Sequence, residues 1–223
     1  LDLFADLPEA TANTVEIARR ASDPARASRY ADRAKVTGPQ VLALAKAMLA
    51  REDEVEPFVA RAASLARDAG LVMASHDDAS PQTRARWRAL GCTICEFPMN
   101  EETGLAARAA GEHVVMGCPN VVRGGSHSGN IAAHALAEEG LLDALSSDYV
   151  PISMLHAAFK LHDRHGLTLP DAVATVSRNP ARMLKLDDRG EIEAGKRADL
   201  VRVTQHQGLP LVRQVWREGD RIA

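Results

Sequence analysis

The chain has 223 residues, 46% hydrophobic and 26% charged, which suits one globular domain or a domain with an appendage. A formal net charge of -3, with Lys and Arg scattered rather than clustered, excludes the basic footprint of a nucleic-acid binder. No apolar stretch approaches the roughly 18 residues that span a bilayer, and the opening LDLFADLPEA lacks the basic start and apolar middle of a signal peptide. A cytoplasmic protein with neither a nucleic-acid nor a membrane partner is therefore expected.

Residues 1 to about 70 read as helices only. Ser22-Asp23-Pro24 and Thr37-Gly38-Pro39 are helix starts with proline suited to the first turn. Val41, Ala45, Met48 and Leu49 then mark one face, and Phe58, Ala62, Leu65 and Ala66 repeat the spacing before Gly70, a C-cap residue.

From Leu71 the pattern changes to short apolar runs alternating with helices. LVMASHD precedes a helix opened by Ser80-Pro81, and TICEFP one opened near Asn100. HVVMGCPN precedes one near Asn130, and ALSSD one opened by Pro151. Four successive strand-helix units imply an α/β fold with a parallel sheet. The first two strand-to-strand intervals are about 20 residues and the third about 30, so the third strand's exit carries an insertion, SHSGN. A last helix, LPDAVATVSRN, and a short NPARML turn lead into a small β appendage from about Asp187. The expected divisions are residues 1–70, 71–186 and 187–223.

Cys92 and Cys95 form one CxxC, and Cys118 has no partner in sequence. An odd count argues against a disulfide framework, and a single CxxC without a second half is poor zinc evidence. Cys95 lies in an apolar strand-like run, where cysteine behaves as a small hydrophobe.

Each apolar run ends on a polar or ionisable residue: His76 with Asp77 and Asp78, Glu96, Asn120 and Asp148. In a (β/α)8 barrel, chemistry sits at the C-terminal strand ends. His76, Glu96 and Asp148 are ligand types for a divalent cation, each from a different strand end. Singly, His76 also reads as a core histidine and Asp148 as an N-cap. His134, His156, His162 and His165 fall on helices and read as surface or packing residues.

The stretch VVRGGSHSGN brings Arg123, Gly124, Gly125, Ser126, His127, Ser128 and Asn130 together just before a helix. Glycine-freed amides, hydroxyls and a guanidinium are groups that hold phosphate oxygens. A surface loop with Gly for turning and Ser for capping has the same composition. Phosphate held beside the strand ends would place a phosphorus atom near an activated water, as phosphoryl chemistry requires.

The tail NPARMLKLDDRGEIEAGKRADLV resembles the closing signature of the amidohydrolase superfamily. ASHDD, CEFP, MGCPNVVRGGSHSGN and LSSDY, in this order, resemble its phosphonate-utilising diphosphatase branch, from about Leu71 to the end. The resemblance implies metal-dependent hydrolysis of a ribose 5-triphosphate to the 5-phosphate and pyrophosphate, in the carbon-phosphorus lyase pathway. It implies a divalent metal, Zn or Mn, with His76 and Asp148 at two of the family's ligand positions. Asp148 would also carry the catalytic proton. Glu96 stands where many members have histidine. Arg123 to Asn130 become the expected triphosphate cradle.

The resemblance also implies a partial (β/α)8 TIM-type barrel, its last four strand-helix units, with an N-terminal helical segment and a small C-terminal β portion. The superfamily's early strands and their His-x-His or His-x-Asp pair have no counterpart here. Three expectations compete: a fragment of a longer product, as the missing initiator Met suggests; a degenerate copy; or a homo-oligomer that completes the barrel. Two rival functions remain beside the diphosphatase: another amidohydrolase reaction, such as cyclic amide cleavage or deamination, and a non-catalytic phosphate-ligand binding module.

Overall fold

The computed structural model describes residues 12–126 and 129–223, and contacts separate residues 1–71 from 72–223. The described part of the first unit is helical: α1 (Ala12–Ala21), α2 (Pro24–Ala34), α3 (Gly38–Leu49), a 3-10 turn at Glu52–Glu54 and α4 (Val55–Asp68). Their starts follow local chemistry. The Asp23 carboxylate accepts from the amides of Ala25 and Arg26 ahead of Pro24, and Thr37 and Gln40 form a capping box. Ala18, Ala21 and Ala45 pack with Val41, Met48 and Leu49. On α4 the packed face differs from the expected one: Val55 and Ala63 are buried and Val59 packs beside Val55, whereas Leu65 is 59% exposed. Both stripes have helical spacing, and the apolar neighbours chose between them. Gly70 ends the helix at φ +67, and the Leu71 amide returns to the Ala66 carbonyl.

The second unit is α/β. Strands β1 (Ala74–His76), β2 (Ile94–Glu96), β3 (His113–Gly117) and β4 (Ala144–Ser146) form one parallel sheet in the order β1-β2-β3-β4. Helices α5 (Pro81–Ala89) and α6 (Glu101–Ala109) follow β1 and β2, capped by Ser80 and Asn100. Then come α7 (Cys118–Arg123) and α8 (Ala133–Glu138) between β3 and β4, and α9 (Ser153–His165), α10 (Leu169–Ala174) and α11 (Arg178–Met183) after β4. Successive side chains alternate across the sheet. Cys95, Val114, Met116 and Leu145 meet Leu136, Ala157 and Leu161 on one face. Ile94, Val115 and Ala144 pack with Val72 and Met183 on the other.

Three elements differ from expectation. The third strand stops at Gly117, and CPNVVR is a helix, because Pro119 suits a first turn and Val121 is wholly buried against the core. NPARM lies in α11 rather than a turn, with Leu184 at the helix end. The antiparallel sheet β5 (Leu200–His206), β6 (Leu209–Arg217), β7 (Asp220–Arg221) begins well after Asp187. No helix of the described residues is long and apolar enough to cross a membrane.

Beneath the sheet lies a buried ion network. Arg84 on α5 is fully buried and donates to Asp78 at 3.1 Å, to Glu112 at 2.8 Å and to the Cys92 carbonyl at 2.6 Å. Arg88 joins Glu112 from the solvent side at 2.8 Å. Burial opposes both charges, yet the two guanidiniums hold the Glu112 carboxyl below its ordinary range.

Candidate functional site

Parallel pairing places His76 of β1 directly opposite Glu96 of β2, so both leave the sheet at one level. His76 Nδ1 lies 3.0 Å from Glu96 Oε2, and Nε2 lies 3.7 Å from Asp77 Oδ2. The His76 side chain is 57% exposed, which sets aside the core-histidine reading. Just past β1, β2 and β4 the backbone turns left-handed at non-glycine residues: Asp77 at φ +57, Phe97 at +54 and Asp148 at +49. The amides of Asp77 and Phe97 still donate to the carbonyls of Glu96 and Val115, at 3.0 and 2.9 Å, which fixes the chain as it turns. A bulky residue such as Phe97 is a genuine outlier there. Strain of this kind, about 1–3 kcal/mol per residue, persists where the surroundings enforce it and clusters at functional sites.

Phe97 occupies the middle of this rim. Its ring meets the His76 ring edge-on, with centroids 5.4 Å apart, and its Cζ lies 2.9 Å from where a Cβ on Gly117 would stand. Asp148 Oδ2 lies 3.1 Å from the same point. Gly117 is required here because a side chain would overlap both. Asp148 does not cap the helix after Pro151: α9 starts at Ser153 with no side-chain cap.

Among the described residues no group of three or more His, Cys, Asp or Glu side chains is placed to hold a metal ion. The metal set expected from His76, Glu96 and Asp148 is thus not assembled. The first two are joined to each other, and the Asp148 carboxylate stands at Gly117 on β3. The donor types suit a divalent cation, but their arrangement does not fit one.

The expected phosphate loop is partly committed to helix capping. Gly124, at φ +89, and Gly125 donate to carbonyls of the α7 end, Gly125 to Asn120 at 2.9 Å and Gly124 to Val121 at 3.1 Å. Those two amides terminate a helix in a Schellman pattern and do not point free into a cradle. The Arg123 guanidinium donates to the Gly125 carbonyl at 3.1 Å and to the Tyr149 hydroxyl at 3.3 Å, tying the β3 exit to the β4 exit. Lys160 of α9 donates to the Val122 carbonyl at 2.8 Å, and its Nζ lies 4.0 Å from the Cβ position of Gly124. Ser126 and Asn130 are half-buried on the segment between α7 and α8. His127 and Ser128 lie outside the described residues.

Other residues singled out in the sequence have structural tasks. Asp78 belongs to the buried Arg84 network. Asn120, buried within α7, accepts from the Ala133 amide at 2.9 Å and so pins the start of α8. His134 stacks on His165 at 4.6 Å, and His165 pairs with Glu138. His162 bonds the Leu167 carbonyl at 2.8 Å. All three cysteines are buried thiols. Burial pushes Cys95 up to about 12 and Cys118 up to about 11, so both are protonated at neutral pH. Phe97, Gly117, Tyr149 and Lys160 escaped the sequence reading. Phe97 and Tyr149 directly follow Glu96 and Asp148, which is the signal the sequence offers, whereas nothing local marks Lys160.

The sequence model of the Amidohydrolase family matches residues 2–214, so the match also takes in the helical first third that the motifs left out. The chain is 50% identical over 162 residues to alpha-D-ribose 1-methylphosphonate 5-triphosphate diphosphatase of Escherichia coli (strain K12), covering 72% of this chain and 43% of that protein. Among solved structures, the fold resembles an enamidase at a TM-score of 0.58 and 14% identity, over 74% of this chain and 51% of that one. It also resembles N-acetyl-D-glucosamine-6-phosphate deacetylase from Mycobacterium smegmatis, at 0.55 and 23% identity, over 76% and 53%. The chain thus spans about half the length of the proteins it matches. A four-stranded parallel sheet with polar strand exits, a small antiparallel sheet after it in the chain, and a family match running nearly end to end lead to one conclusion: the chain belongs to the amidohydrolase family.

Proposed function

We propose that the chain is part of a diphosphatase that hydrolyses alpha-D-ribose 1-methylphosphonate 5-triphosphate to the 5-phosphate and pyrophosphate, within phosphonate catabolism. The observation that carries this reading is the pair of cations at the β3 exit. The Lys160 ammonium lies 4.0 Å from the Cβ position of Gly124, the neighbour of Arg123 in the chain, and Arg123 is bonded to Tyr149, the residue after Asp148. Two cations and a hydroxyl beside a strand-exit carboxylate suit a polyphosphate chain, since charge-assisted bonds to phosphate oxygens are the strong ones. The 50% identical relative carries a triphosphate in its name.

On this reading Arg123 and Lys160 neutralise the β- and γ-phosphates. Water attacks the α-phosphorus, Asp148 accepts its proton, and the bond to the bridging oxygen breaks to release pyrophosphate. The divalent cation implied by the family enters no step here, because the described residues do not gather around one. That same observation favours a second reading, in which the chain binds phosphate ligands without turning them over. Pyrophosphate release from the ribose triphosphate separates the two. It would be measured with the 223-residue chain, with added Mn or Zn, with chelator, and with Asp148→Asn. Release lost in the variant supports the diphosphatase. Binding without release by a cooperatively melting chain supports the module.

A further inference from the structure

We propose that a cleft on the antiparallel sheet β5-β6-β7 is a second anion site, which holds a small phosphate-bearing polyanion on Arg202, Arg213 and Arg221. The inference is independent of the parallel strand exits and of the triphosphate reading. The cleft has a volume of about 350 Å³ and is lined by these three arginines with Val203, Thr204 and Gln214, none of them acidic. Strand pairing explains why the arginines meet. Arg202 lies opposite Gln214, and Trp216, two residues further along β6, lies opposite Arg221. Cross-strand partners share a face and alternate residues return to it, which puts Arg202 and Arg221 on one side of the sheet. The third arginine joins them through an irregularity. The ladder steps from Arg202 opposite Gln214 to Val203 opposite Val212, so Arg213 is an extra residue. Strict alternation would send Arg213 to the face opposite Gln214, whereas an extra residue re-aims its side chain, and Arg213 lines the same cleft.

These cations differ from the other arginines of this unit. Arg84, Arg88, Arg108, Arg182 and Arg197 each meet a carboxylate side chain. Arg202 instead donates to Gln214 Oε1 at 3.1 Å and Arg221 to the Ala223 carbonyl at 3.3 Å, and no ion pair joins Arg202, Arg213 or Arg221 to an acidic side chain of the described residues. Like charges on neighbouring strands repel, and an anion between them removes that cost. The planar guanidinium fork matches pairs of phosphate oxygens. With its carbonyl oxygen turned to Arg202, the Gln214 amide still has its NH2 to donate, and the Thr204 hydroxyl adds a further donor on the same wall. Three forks and two neutral donors suit an anion of two or more phosphate groups.

The test is a titration of the 223-residue chain with inorganic pyrophosphate at constant ionic strength, followed by backbone amide shifts. Reading each amide separately distinguishes this cleft from the β3 exit around Arg123. Saturable shifts are expected at Arg202, Thr204, Arg213, Gln214 and Arg221, with an affinity at least about tenfold above that for sulfate. Arg213→Gln, at an exposed position, should weaken binding by about tenfold or more, the loss of one charge-assisted bond. Arg202→Gln, Arg213→Gln and Arg221→Gln combined should abolish the shifts while the cooperative melt is kept. Should the combined variant lose that melt, Arg213→Gln alone decides. Shifts that do not saturate, or that sulfate reproduces with equal affinity, mean a diffuse ion atmosphere and overturn the proposal. An affinity in Arg213→Gln equal to wild type overturns it too. Arg123→Ala should leave the shifts of this sheet in place, so its effect on the amides of α7 reports on the triphosphate reading alone.

Discussion

Asp148 reaches across the exit of β3 until its Oδ2 stands 3.1 Å from the point a Cβ on Gly117 would occupy. The Phe97 Cζ is closer still, at 2.9 Å. Gly117→Ala must therefore displace an aromatic ring whose backbone is fixed, or a carboxylate held at a left-handed residue. Overpacking of this kind costs about 1–3 kcal/mol. Urea unfolding should show that loss, whereas Gly125→Ala, where nothing lies within 4 Å of the added carbon, should stay within about 0.5 kcal/mol.

The Arg84–Glu112 pair predicts a much larger effect from a residue remote from the rim. Glu112→Ala leaves the Arg84 guanidinium fully buried, with Asp78 as its remaining carboxylate. Breaking a buried pair in this way costs about 3–5 kcal/mol. The pH dependence follows from the lowered Glu112 pKa. A carboxyl depressed in the folded state stabilises fully above its unfolded value, about 4.3, and loses that stabilisation as pH falls through the lower native value. The stability gap between wild type and Glu112→Gln should therefore be constant near neutrality and narrow in acid. Denaturant melts at a series of pH values measure it.

What the sequence made legible was mostly local. The Asp23, Thr37, Ser80 and Asn100 helix starts depend on hydrogen bonds within three residues, and each appears as a cap in the structure. The four parallel strands were legible because each is a short apolar run closed by polar residues. Non-local facts were hidden. Nothing in LVMASHDD distinguishes exposed His76 from fully buried Asp78, because that depends on Arg84 arriving from the next helix. The end of β3 is hidden for a similar reason: in the sequence CPN continues the run HVVMG, but Val121 finds its burial as part of the helix that begins at Cys118. Lys160 approaches Gly124 from a helix beyond β4, a proximity that only the packing of α7 against α9 creates.

Asn120 turns one of those hidden facts into a measurement. Its Oδ1 accepts from the Ala133 amide at 2.9 Å, and α8 has no side-chain cap of its own. Asn120→Ala leaves that buried donor unpaired, at a cost of about 1–3 kcal/mol. The variant should exchange the amides of α8 faster than wild type while those of β3 keep their protection. Equal exchange throughout α8 would mean that the α8 start does not depend on Asn120.

Arg123, Tyr149 and Lys160 give the sharpest test of the phosphate reading, because their geometry ranks them. The Arg123 guanidinium is bonded to Tyr149 just past β4, and a lost charge-assisted bond costs about 1.5–3 kcal/mol, or about ten- to a hundredfold in affinity. Arg123→Ala should weaken tripolyphosphate binding by that factor and flatten its salt dependence. Lys160→Gln should cost nearly as much if its ammonium exchanges the Val122 carbonyl for a phosphate oxygen. If instead that lysine only caps α7, affinity will hold while thermal stability drops slightly. Tyr149 touches the guanidinium through a single neutral hydroxyl at 3.3 Å. Tyr149→Phe should therefore cost about 1 kcal/mol or less, with the salt dependence unchanged because no charge has been removed. Calorimetric titration of the three variants at two ionic strengths distinguishes these cases, and an Arg123→Ala affinity equal to wild type would sink the phosphate-binding assignment.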